Sequence, residues 1–181
     1  MPDTKEHLKE TSDFLFDVIK RYDHYIGTTN FKVGLMMSFL GTVILGLTVR
    51  IMLLNSVQGE ISCFRLIAVA ASILTILCSL IAAVKLLRVV FPNTKNENSS
   101  NSLIFFGDVD SCDNGAAGYF EKVKNADTEE LVKDIATQTH NVAGVVNEKF
   151  RVLKTAVNMT IYLVIPLLGI SLVLLIIEGI M

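Results

Sequence analysis

Met159–Met181 reads MTIYLVIPLLGISLVLLIIEGIM. It holds no Lys, Arg or Asp, and its one acidic residue, Glu178, stands near the end. A bilayer core of about 30 Å calls for about 20 apolar residues in a helix. No turn residue interrupts the stretch before Pro166, and a membrane helix tolerates a proline where neighbours satisfy the freed carbonyl. The polar segment before it keeps helical spacing right up to Met159, so whatever that segment senses is joined mechanically to a membrane span.

The whole chain fits this reading. It has 181 residues, 51% of them hydrophobic, no Trp, a net charge of −2 and a mean hydropathy of +0.52. That is too apolar for a soluble domain of this size and points to several spans. The charge balance excludes a nucleic-acid-binding surplus of Lys and Arg. Lys5, Lys9, Lys20, Arg21 and Lys32 precede the first span, Arg50 and Arg65 flank the first loop, the remainder lie between Lys85 and Lys154, and none follows. The positive-inside rule then puts the N-terminus and the long second loop in the cytoplasm, the first loop and the C-terminus outside. Residues 1–30 are polar and lack the apolar core of a cleavable signal peptide.

The expected fold is an all-α membrane protein. Three transmembrane helices are preceded by an N-terminal amphipathic helix, and a small cytoplasmic helical module is inserted between spans two and three. Residues 1–32 form the cytoplasmic amphipathic helix, with Leu8, Leu15, Val18, Tyr22 and Tyr25 on one stripe. Gly27-Thr28-Thr29-Asn30 either ends that helix or bends it. Span one covers 33–54, the external loop 55–65, span two 66–85, the cytoplasmic sensing module 86–158 and span three 159–181. Within span one, Arg50 is read as an anchor near the outer headgroups. Gly34, Ser38, Gly41, Thr42 and Gly46 are expected to pack against span two, with an oligomer seam as the alternative.

In the module, 93–102 is a polar linker. Leu103-Ile104-Phe105-Phe106 is expected to be extended, and Ser111–Gly118 a loop. Ala117–Lys124 is expected to form a short helix with Tyr119, Phe120 and Val123 inward. Asp127 and Glu130 have capping-box spacing. From Leu131 through Ile135, Thr139, Val142, Val146, Phe150, Leu153 and Val157 a helical stripe leads into span three.

No catalytic constellation stands out. His7, His24 and His140 are isolated, and nucleotide-loop, nucleophile-elbow and zinc-protease motifs are absent. Asp108, Asp110 and Asp113 lack the glycine and terminal glutamate of a calcium loop and read as a solvated turn. Cys63, Cys78 and Cys112 fall at places that cannot meet on this topology, so they read as inert thiols. No metal, no cofactor and no enzymatic activity are expected.

Several stretches together carry a resemblance: Arg21-Tyr22-Asp23 through Asn30-Phe31-Lys32, the run Leu103–Asp108, Tyr119-Phe120, Asp134-Ile135-x-x-Gln138, and Lys149-Phe150-Arg151-x-Leu153-Lys154. In this order they resemble the Pycsar effector transmembrane family, membrane effectors of bacterial anti-phage defence operons that encode nucleotide cyclases. The resemblance implies a cyclic nucleotide as activating ligand and abortive infection by impairment of the inner membrane. It implies a multi-pass protein in that membrane, with a cyclase as operon neighbour rather than a necessary physical partner. A nucleotide phosphate wants Lys or Arg, and its base an aromatic face. The candidate contacts are therefore Arg21, Tyr22, Asn30, Phe106, Gly107, Lys149 and Arg151. A homo-oligomer in the lipid bilayer is expected, because three spans with few polar lining residues cannot enclose a pore. The alternative is a membrane scaffold or receptor subunit that binds a protein through its cytoplasmic helices.

Overall fold

The computed structural model describes residues 4–55, 63–91 and 102–180. Among them the chain is helical with no strand: α1 (Thr4–Asn55), α2 (Cys63–Val90), α3 (Phe106–Asp110), α4 (Gly115–Asn125), α5 (Thr128–Met159), a π-turn (Thr160–Val164) and α6 (Ile165–Ile180). Most of the expected external loop and linker lies outside the described residues. Contacts divide the chain into two units, Met1–Gly27 with Asn93–Asn147 and Thr28–Pro92 with Glu148–Met181.

The second unit is a helical bundle. α1, α2 and the helix running from α5 through the π-turn into α6 are each long and apolar enough to cross a membrane. The chain is thus built as a multi-pass membrane protein. α1 turns Val33, Leu40, Val43, Leu47 and Leu54 inward, at the three-, four- and seven-residue intervals of one helix face. α2 answers with a small-residue face of Ala68, Ser72, Thr75, Ser79 and Ala82, continued by Leu86 and Val89. Leu40, Ala82, Leu86, Leu153, Ala156 and Val164 meet in one core, and Leu47, Leu54, Ala68 and Leu175 in another. Without a hydrophobic driving force in lipid, close backbone approach and interhelical hydrogen bonds hold such a bundle. The Thr75 and Ser171 hydroxyls supply one bond at 2.9 Å, fully buried.

This corrects one expectation. Gly34, Ser38, Thr42 and Gly46 are exposed, and among the described residues no heavy atom lies within 4 Å of a Cβ placed on Gly34, Gly41 or Gly46. The bulky face of α1 does the packing, and α2 provides the small side of the contact.

Pro166 explains the π-turn. Proline has no N–H to donate, and its ring collides with the carbonyl four residues earlier, here that of Tyr162. In the turn before it the Ile165 N–H reaches back to the Thr160 carbonyl, a five-residue step. The wider loop shifts the Tyr162 carbonyl, and the helix continues across the proline.

In the first unit, Asp127 opens α5: its carboxylate accepts the Thr128 N–H at 2.7 Å and its carbonyl the Leu131 N–H at 3.0 Å. α4 sits tightly on the preceding turn. A Cβ on Gly118 would overlap the Asp113 carbonyl, and Asn114 takes a left-handed φ of 61° to make that turn. One open alternative is decided and three expectations change. Gly27–Asn30 does not end α1, because a glycine in a helix interior costs only about 1 kcal/mol. The run from Leu103 is not a strand: Phe105 alone has described extended dihedrals, as the residue before α3. α4 begins at Gly115, inside the expected loop. Phe120 is 65% exposed and Val123 is exposed too, so neither points inward.

Candidate functional site

In the first unit, the segment entering α3 presents successive backbone N–H groups with no helical partner, as every helix start does. One serine gathers them. Ser102 Oγ accepts the Ile104 N–H at 3.1 Å and the Phe105 N–H at 3.0 Å, the turn a hydroxyl makes two and three residues ahead of itself. α5 holds that serine from outside. Asp134 Oδ2 accepts Ser102 Oγ at 3.0 Å and the Leu103 N–H at 2.8 Å, and Gln138 Nε2 donates to Ser102 Oγ at 3.1 Å. Asp134 and Gln138 are four apart, hence on one face of α5. Asp108 Oδ2 accepts the Ser102 N–H at 2.7 Å, and Tyr119 donates to the Leu103 carbonyl at 2.9 Å.

These bonds tie 102–108 into one platform. It displays Phe106, 80% exposed and tilted against Phe105 with ring centroids 4.7 Å apart. Gly107 is half-buried, and a Cβ there would come within 2.7 Å of the Phe105 ring. Arg21 is exposed and Tyr22 half-buried on α1.

In the second unit, Lys149 is only 5% exposed. Its ammonium donates to the Val89 carbonyl at 2.7 Å, Asn30 Oδ1 at 3.2 Å and the Val90 carbonyl at 3.3 Å. An ammonium has three donors, and these three oxygens match them. Val89 and Val90 close α2, where the last carbonyls lack helical partners and the dipole favours a cation. Lys149 therefore caps α2 from α5 and ties in α1 through Asn30. Burial holds its ammonium below the usual lysine pKa.

Arg151, two residues on and exposed, is spent differently. Its Nε and Nη2 each donate to Glu148 at 2.7 Å, a bidentate pair. The hydrogen bond from Arg151 lowers the Glu148 pKa, and the same bond raises that of Arg151. Of the sequence-derived candidates, the structure brings Asn30 and Lys149 into contact, and Phe106 and Gly107 onto one platform. Arg151 faces a carboxylate. Sequence reasoning missed Ser102, which stood at the end of the polar linker; its signal was the position three residues ahead of Phe105.

Among the described residues no cluster of His, Cys, Asp or Glu could hold a metal ion. The Pycsar effector protein domain matches residues 14–177. The chain belongs to the Pycsar effector family. No curated protein and no solved structure matches it. A Pycsar effector acts in cyclic-nucleotide-based anti-phage defence, as a membrane effector rather than a member of a known enzyme family.

Two outcomes follow for this Pycsar effector. Asp134→Ala removes the acceptor of the Leu103 N–H, and hydrogen exchange at that amide is expected to speed up by roughly tenfold or more, the equivalent of one hydrogen bond to a charged group. Lys149→Met leaves three carbonyl oxygens without their donor and is expected to cost about 1–3 kcal/mol, read from unfolding in detergent. An unchanged midpoint would make Lys149 a solvated anchor instead.

Proposed function

We propose that this protein is a membrane effector gated by a cyclic nucleotide made on infection, and that the gated state impairs the inner membrane, ending in abortive infection. The observation that carries the reading is the family match across 14–177, which takes in the platform, Lys149, the candidate span Cys63–Val90 and most of the other two. Orientation follows the distribution of Lys and Arg: N-terminus and module cytoplasmic, C-terminus outside. The nucleotide is the ligand, a cyclase is the operon neighbour, and the working form is a homo-oligomer in the bilayer.

Roles are divided among the candidates. Phe106 offers an exposed face to a base, with Gly107 beside it leaving backbone access. On the first unit Arg21, with Tyr22 beside it, supplies charge and hydrogen bonds for phosphate; on the second unit, taken by itself, Arg151 exchanges Glu148 for an anion. Such an exchange trades one bidentate anion for another, which the guanidinium fork suits. Asn30 and Lys149 transmit: any rotation of α5 has to stretch the three bonds at the end of α2, and helices joined this way move between discrete packings.

A second reading, a scaffold that binds a protein partner through its cytoplasmic helices, draws on Phe14 and Phe120, 66% and 65% exposed outside the spans. Calorimetric titration of the full-length protein in detergent against a panel of cyclic mono- and dinucleotides separates the two. Gating predicts on the order of micromolar binding to one member, about −8 kcal/mol, weakened by Arg21→Ala and Arg151→Ala. Flat titrations across the panel with folded protein favour the scaffold.

A further inference from the structure

A groove of about 480 Å³ lies in the bundle between α1 and α6, inside the roughly 300–1,000 Å³ range of ligand pockets. Its walls are Val43, Gly46 and Leu47 on one side, Leu168, Leu172 and Ile176 on the other. Thr42 also lines it, but its hydroxyl donates to its own helix, to the Ser38 carbonyl at 3.0 Å. Among the described lining residues one is charged, Arg50.

The guanidinium is seated. Nη2 donates to the Leu175 carbonyl at 3.4 Å, and it lies so close over Gly179 that a Cβ there would come within 2.9 Å. It rests against the last turns of α6, where the helix dipole holds a cation. One long bond does not exhaust five N–H donors. α1 ends at Asn55, so by 1.5 Å per residue Arg50 stands about 7 Å short of the helix end, the depth at which a long cation reaches headgroups.

We infer that the groove binds one anionic phospholipid, an acyl chain along its apolar walls and the phosphate on Arg50. The charge selects this occupant over a second copy of the chain. A symmetric pair docked through the groove would bring two Arg50 guanidinia together in hydrocarbon, where like charges repel strongly. A phosphate there neutralises the one that is present, in the planar geometry guanidinium prefers. The inference rests on α1 and α6 spanning the membrane and is independent of nucleotide gating.

The test uses the full chain reconstituted in vesicles of equal parts phosphatidylglycerol and phosphatidylcholine. Flotation checks insertion, and native mass spectrometry after release into mild detergent counts the lipid retained. The wild-type protein is expected to keep phosphatidylglycerol in preference to phosphatidylcholine. Arg50→Gln should cut that preference roughly tenfold, the loss of one charge-assisted hydrogen bond. Gly46→Leu should lower retention of both lipids, because its side chain enters open groove space without displacing the helix. Equal retention of the two lipids by wild type, or retention unchanged by both substitutions, would overturn the lipid site. So would efficient cross-linking of Gly46→Cys chains across the groove, which would name a second copy as its occupant. Failure of the wild type to float would overturn the spanning reading on which the site stands.

Discussion

A buried ammonium with three neutral oxygen partners is the constraint around which the bundle is arranged. Taking a charge out of water costs several kcal/mol even after relaxation, and Lys149 recovers that cost only where Val89, Val90 and Asn30 stand together. The register of α1, α2 and α5 at that level is therefore specified by one side chain. The end of α2 needs donors, and the lysine needs acceptors. Apolar packing of Leu86, Val89, Leu153 and Ala156 around the junction excludes the water that could serve either.

From that junction the bundle is held by different means toward its other end. The small face of α2 and the Thr75–Ser171 bond bring backbones close where no hydrophobic force acts between helices. The π-turn before Pro166 lets one helix continue through a residue that ordinarily breaks it. A wide turn beside a proline is also a place where a helix changes pitch at low cost. In the first unit the economy is similar: one serine hydroxyl and one carboxylate satisfy the backbone of the platform, leaving Phe106 outside.

Much of this was readable from residue order. Three spans follow from hydropathy, because a bilayer imposes its length on every helix that crosses it. The opening of α5 at Asp127 and most of the stripe from Leu131 to Val157 follow from capping chemistry and helical spacing, but Phe150 is exposed and Lys149 takes the buried place beside it. What could not be read depended on partners remote in sequence. Lys149 looks like any positive-inside lysine until Val89 and Asn30 are beside it. The glycines of α1 look like a packing seam, yet the neighbouring Val33, Leu40 and Leu47 take the inward face, and a one-residue shift around a helix is invisible to composition. Ser102 has meaning only with Asp134 and Gln138 above it. The motif at 134–138 was visible; its task, holding a turn, was not.

The proposed function stands or falls on whether ligand binding opens the membrane. The direct measurement is release of an entrapped dye from vesicles carrying the full-length protein as each cyclic nucleotide is added in turn. Gating predicts tight vesicles without nucleotide and rapid release with the one nucleotide that binds. Vesicles that stay sealed while that nucleotide binds, or that leak equally without it, would contradict it.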